Sequence, residues 1–203
     1  METATAAPAK GRPREFCTDQ ALAAALGVFW AKGYDGASMA DLTEAMGITK
    51  PSLYAAFGNK EALFHKALDL YEAEKLDYTR AALAQPTARA VAEYILRGAI
   101  DAQTSCNGPK GCLSVISATA CGAEADSIKA HVMERRRSSQ AAVVERFEQA
   151  KRDGDLPDHV EIAGLTSFLW TLLQGMAVQA SLGAARQDLE RIVETSLLVW
   201  PTR

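Results

Sequence analysis

Residues 38–57, Ser-Met-Ala-Asp-Leu-Thr-Glu-Ala-Met-Gly-Ile-Thr-Lys-Pro-Ser-Leu-Tyr-Ala-Ala-Phe, constrain this chain more than any other stretch. Their caps and breakers spell two short helices joined by a turn. Ser38 is placed to cap the first helix, with Asp41 three residues on in a loose capping box. Ala40, Leu42, Ala45 and Met46 supply an inward stripe. Gly47 can take a positive φ at the helix end, Ile48 plugs the turn into the core, and Thr49 caps the second helix. Pro51 falls in that helix's first turn, where the backbone N–H groups have no partners and a missing donor costs nothing. The second helix then presents Lys50, Ser52, Tyr54 and Ala55 outward: one cation, hydroxyls and small groups. Such a face suits a DNA groove better than a protein core. The segment reads as a helix-turn-helix.

The surrounding pattern is helical throughout. Residues 19–32 place Leu22, Ala25, Leu26 and Phe29 at helical spacing; Gly33 ends that helix and Tyr34 packs near the turn. Asn59 caps a helix with Glu61 in its first turn, predicted to run from Lys60 to beyond Arg80 and to link a head to a body. Pro86 breaks it or begins the next helix, which reaches about Ser105 through Val91, Ile95, Ala99 and Ala102. The run Asn107-Gly108-Pro109-Lys110-Gly111 is the strongest turn signal in the chain. Beyond it come a short apolar helix over 112–120 and a long one over 124–152, whose buried side is marked by Ile128, Val132, Val143, Val144 and Phe147. Asp153-Gly154-Asp155-Leu156-Pro157 ends the long helix sharply, and two more follow over 158–182 and 187–200. Nothing alternates with period two, so no sheet is expected. The fold class is all-α.

With the motif and its exit in view, the chain resembles a known family. A helix-turn-helix near the N-terminus running into Leu53-Tyr54-Ala55-Ala56-Phe57-Gly58-Asn59-Lys60-Glu61-Ala62-Leu63-Phe64 is similar to the TetR/AcrR family of bacterial one-component repressors. The shared run is Leu-Tyr-x-x-Phe, a two-residue turn, then Lys-Glu-x-Leu. The preceding segment, with Phe29, Gly33, Tyr34 and Ala37, resembles the family's first helix and its exit. The likeness is specific over roughly residues 15–75; beyond them it rests on helical character and length. It implies a flexible basic arm over 1–14, a DNA-binding domain over 15–75 and an effector-binding and dimerisation domain over 76–203.

Charge narrows how DNA can be held. The chain of 203 residues carries a formal −3 with a pI near 5.7. Within residues 1–60, Lys10, Arg12, Arg14, Lys32, Lys50 and Lys60 balance Glu2, Glu15, Asp19, Asp35, Asp41 and Glu44, so the body carries the whole excess. This excludes a binder working by bulk positive charge; contacts must come from local placement. The expected DNA-contacting set is Arg12, Arg14, Ser38, Thr49, Lys50, Ser52, Tyr54 and Lys60. Lys50, Tyr54 and Lys60 grip phosphates, Thr49 and Ser52 lie near phosphates or base edges, and the Arg12-Pro13-Arg14 arm reaches a minor groove. So weak an electrostatic footprint predicts two heads acting together on a palindromic double-stranded operator.

The last two helices supply the second head. Leu165, Phe168, Leu169, Leu172, Leu173, Met176 and Val178 cover more than one face of one helix, and Leu189, Ile192, Val193, Leu197 and Val199 do so on the next. Helices apolar nearly all round need cover on more than one side; a second copy is the economical cover, giving a homodimer through 158–182 and 187–200. The middle helices enclose an effector cavity if the family architecture holds. Its expected liners are Ile95, Ile100, Cys112, Ile116, Met133, Phe147, Phe168 and Trp170, which favour a small apolar or electrophilic effector. The reading is a regulator, a repressor released from its operator by that effector.

Cysteine chemistry offers an alternative trigger. Cys106 and Cys112 flank the turn, Lys110 lies between them, and Cys112 falls near a helix start, all features that favour a thiolate. The segment is similar to one in the branch of the family that senses electrophiles and oxidants through a cysteine. Cys17 and Cys121 read as helix-face packing residues. His131 and His159 stand outside ligand spacing from the cysteine pair, so no metal is expected. His65 reads as a core or surface residue of the linking helix. Pairing Cys112 with His131 as nucleophile and base lacks any oxyanion or phosphate loop, so neither an enzyme nor a cofactor is expected. Residues 1–9 lack a signal-peptide core, and residues 162–182 are too polar for a membrane span. The expected location is the cytoplasm.

Overall fold

The computed structural model of the protein describes residues 17–106, 108–119 and 125–202; among them there are ten α-helices and no strand. Helix α1 (Thr18–Gly36) is regular to Lys32 and then swings at Gly33, whose φ is 70°. Helices α2 (Met39–Met46) and α3 (Lys50–Phe57) form the helix-turn-helix. The capping box is present in full: the Ser38 hydroxyl accepts from the Asp41 N–H at 3.1 Å, and Asp41 Oδ2 accepts from the Ser38 N–H at 3.0 Å. Gly47 adopts φ 65°, ψ 28°, a left-handed conformation that costs other residues roughly 1–2 kcal/mol. Thr49 then accepts from Ser52 N–H at 3.3 Å to start α3. One expectation of the inward stripe changes. Leu42 and Met46 are buried, but Ala40 and Ala45 are exposed, because an eight-residue helix needs only its i, i+4 pair to reach the core.

Helix α4 (Lys60–Lys75), capped by Asn59, is shorter than the sequence suggested. The chain leaves it at Leu76 and Asp77 and restarts as α5 (Tyr78–Leu83). Thr79 closes the break by giving its hydroxyl hydrogen to the Leu76 carbonyl at 2.7 Å. Tyr78 lies against α6 (Ala88–Thr104) at Gly98, where an added Cβ would come within 2.5 Å of the ring. The tertiary contact of Tyr78 therefore overrides the helical propensity of the run, which contains no Pro or Gly to announce a stop.

The rest of the chain forms α7 (Leu113–Thr119), α8 (Asp126–Arg152), α9 (Ile162–Ser181) and α10 (Arg186–Leu198). Two cores result. The body core gathers α6, the C-terminal part of α8, α9 and α10 around Ile95, Phe147, Leu169 and Trp200. The head core gathers α1 to α4 around Phe29, Trp30, Leu53, Phe64 and Tyr71, and also takes in Leu113 from α7 and Ile128 and Val132 from α8. Its rings meet edge to face, Phe29 with Phe64 at 5.2 Å and Trp30 with Tyr71 at 4.9 Å, a geometry worth about 0.5–1.5 kcal/mol beyond burial. A boundary at residue 75 separates these sequence segments but not their packing.

Candidate nucleic-acid interface

Helix α3 buries Leu53 and Phe57 and leaves Lys50, Tyr54, Ala55 and Ala56 exposed; Tyr54 is 45% exposed, a high value for an aromatic residue. Lys50 Nζ stands 5.9 Å from the Tyr54 ring centre. The two thus share one side of α3, with the cation free to reach beyond the ring. The Thr49 and Ser52 hydroxyls are 2.9 Å apart at the helix start. This amino end carries hydroxyls and a lysine, while its cap already takes the Ser52 N–H and Pro51 has none to offer. Lys60, opening α4, holds Nζ 4.4 Å above the Tyr34 ring. The exposed Ser38 hydroxyl donates to Asp41 Oδ2 at 2.8 Å as part of the cap. Asp41 is further held by Lys32 at 2.7 Å. Hydrogen bonding by Lys32, and then by Ser38, keeps its carboxyl well below the usual carboxylate range. Arg12 and Arg14 lie outside the described residues.

Below the head, a cavity of about 630 Å³ opens between α4–α5, α6, α7, α8 and α9. Of the residues expected to line it, Ile95, Cys112, Met133 and Trp170 do so. Ile100 and Phe147 are instead fully buried in the body core, Phe147 against Trp200 at 5.9 Å. Ile116 packs with the head core, and Phe168 points outward at 39% exposure. Helical periodicity marks the apolar side of a helix but does not tell a cavity wall from a solid core. The cavity is also more polar than expected: Gln103, Arg135, Arg136 and Gln174 join its walls, with Arg136 donating to Gln174 Oε1 at 3.0 Å.

Cys112 is half-buried in the cavity wall, whereas Cys106 is exposed; both are free thiols. Lys110 donates to the Thr104 carbonyl at 2.8 Å and so serves the end of α6. Burial, then the neighbouring Cys112, pushes the hydroxyls of Tyr71 and Tyr78 up from the ordinary phenol value, which places two neutral phenols around that sulfur. Asn107 and Cys121 lie outside the described residues. No group of three or more His, Cys, Asp or Glu among the described residues is arranged to hold a metal. No helix there is long and apolar enough to cross a membrane.

Three contacts across the head and body were invisible in sequence. Trp30 Nε1 donates to the Gly111 carbonyl at 3.3 Å. Arg135 of α8 donates to Glu72 at 2.6 Å and also to Asp69 of α4. His131 of α8 stacks on His65 of α4 with ring centres 4.1 Å apart. Each joins residues more than sixty positions apart, and no local spacing signals them.

A capped helix-turn-helix on a helical body with a cavity defines a one-component DNA-binding transcriptional regulator, and family models agree. Residues 21–67 match the model described as bacterial regulatory proteins, tetR family, and residues 88–196 match the tetracyclin repressor-like C-terminal domain. The chain belongs to the TetR family of transcriptional regulators. It is 35% identical over 196 residues to the HTH-type transcriptional repressor ComR of Escherichia coli (strain K12), covering 95% of this chain and 92% of that protein. Among solved structures, it resembles a cysteine mutant of the TetR-family regulator CifR complexed with a double-strand operator DNA of 26 bp. There the TM-score is 0.87 at 41% identity, covering 94% of this chain and 100% of the other. A TetR regulator from Rhodococcus sp. RHA1 gives 0.63 at 35% identity, covering 90% and 98%.

Proposed function

We propose that the protein is a repressor that binds a palindromic operator as a homodimer and releases it when a small molecule enters the cavity. The observation that carries this reading is the exposed side of α3, where Lys50 and Tyr54 stand out from a capped helix whose other side is locked into the head core. Lys50, Tyr54 and Lys60 contact phosphates and Thr49 and Ser52 lie at phosphates or base edges, while Ser38 orders α2. The Arg12 and Arg14 arm strengthens the flanks.

The second copy docks on α9. Its outward stripe runs Gly164, Phe168, Thr171, Gly175, Val178 and Leu182, spaced alternately four and three residues, with Leu182 79% exposed. That is the seam of a helix pair, with glycines permitting close approach. Leu198 and Val199 extend it at the end of α10, whose Leu189, Val193 and Leu197 face the protein's own core instead. Two copies so joined set two α3 helices on successive major grooves, about 34 Å apart. The test is a gel shift on DNA selected in vitro. The double replacement Tyr54→Ala with Lys60→Ala should lose retention while its mass in solution stays that of the wild type; unchanged retention sinks the assignment.

A second reading concerns the trigger, favoured by the place of Cys112 in the cavity wall beside two phenols. An α,β-unsaturated carbonyl entering the cavity is attacked at its β-carbon by the sulfur. A C–S bond forms, the π pair moves to the α-carbon, and that carbon takes up the thiol proton. Comparing release by such a compound in wild type and Cys112→Ser decides it: equal release removes Cys112 as the trigger.

A further inference from the structure

The joint between α4 and α8 is made by side chains, and two of them are imidazoles. His65 and His131 stack at 4.1 Å with an interplanar angle of 16°. Arg135 Nε donates to His131 Nε2 at 3.0 Å, so that nitrogen is an acceptor and the ring is neutral with its proton on Nδ1. Arg135 is in turn anchored to α4 through Glu72 and Asp69. His65 Nε2 is buried and has no hydrogen-bond partner.

We propose that the His65–His131 stack is a proton-binding latch between head and body: neutral, it holds α4 against α8, and protonated, it opens that joint and weakens DNA binding. A proton on His131 Nε2 would turn two donors against each other, Nε2–H against Arg135 Nε–H. A proton on His65 Nε2 would meet no acceptor. Two imidazoliums in face contact would also repel. The charges acting on His131 are those of His65 and Arg135, which oppose protonation, and of Asp69 and Glu72, which favour it. Helix α7, packed beside both, carries no charged side chain, and Lys32 of α1 is committed to Asp41. The carboxylates are already engaged by Arg135, and the opposing effects win: burial first, then His65 and Arg135, hold His131 below the ordinary imidazole value of 6.5. The sign follows. With the folded value depressed, the unfolded chain binds the proton first, so the latch's stability is present above 6.5 and is lost as pH falls below it.

The effect on DNA rests on the reading of α3 given above, so the test separates the two. The full chain is compared with a double variant, His65→Phe with His131→Gln; phenylalanine keeps a flat ring, glutamine keeps an acceptor for Arg135, and neither titrates near neutrality. In proton NMR of the wild type, the His131 resonance should titrate with a midpoint below 6.5. Between about pH 7.5 and about pH 5.5 the wild-type melting temperature should fall by about 2–4 °C more than that of the variant. On a DNA fragment selected in vitro at the higher pH, the wild type should lose at least about threefold more affinity on acidification than the variant does. An equal fall in both proteins, or a midpoint at or above 6.5, overturns the latch. If no DNA is selected at all, the reading of α3 fails, while the midpoint and the melting difference still decide the latch.

Discussion

Lys60 sits over the Tyr34 ring at 4.4 Å, and this one contact shows how an aromatic face of the head positions a cation. The ring attracts the ammonium and restrains the lysine stem. If Lys60 and Lys50 each contact one phosphate, replacing either by Ala should flatten the salt dependence of DNA binding by about one unit of slope, with no change in sequence preference. At Gly111 the constraint is steric. Its φ is 88°, and an added Cβ would lie 2.9 Å from the Ala177 carbonyl oxygen. Gly111→Ala should therefore cost about 1–3 kcal/mol in chemical denaturation and disturb the Trp30 hydrogen bond that ties the turn to the head. Residues that act on near neighbours were legible in the sequence. Ser38, Thr49 and Asn59 all cap as their spacing implied, because a cap is made within three residues. His131 and Arg135 were not legible, since their partners His65, Asp69 and Glu72 lie on another helix.

At the scale of elements, helix periodicity located α1 to α3, the start of α4 and α6 to α10 closely, and failed where tertiary contact decides. The α4–α5 break depends on Tyr78 finding Gly98. The apolar residues of α10 looked free for a partner, yet three of them fill the body core. Helix α9 differs: its buried side carries Leu165, Leu169 and Met176, while Phe168 and Val178 stand exposed on the opposite stripe. Placing a charge on that stripe, by Phe168→Glu or Val178→Glu, should yield monomers in sedimentation without altering helical content. A persistent dimer would move the proposed interface elsewhere. Thiol reactivity belongs to this scale too, since Cys112 is set in the cavity wall by the turn before α7, whereas Cys106 faces solvent.

Across the whole molecule, the head core is completed by Leu113, Ile128 and Val132 from the body. The head is therefore not a bead on a string. A ligand that shifts α7 or α8 acts on the same residues that support α1 and α4, and differential binding to two arrangements of that shared core is enough to change head spacing. Charge reinforces the need for two heads, because a chain of net −3 has little non-specific hold on DNA. The central claim is that α3 reads DNA twice, once from each copy. Hydroxyl-radical footprinting on DNA selected by the full chain tests it most directly. The account predicts two protected patches related by a dyad, centred about one helical turn, roughly 10 bp, apart, both lost together in the Tyr54→Ala, Lys60→Ala protein. A single protected patch, or two that survive those replacements, would contradict it.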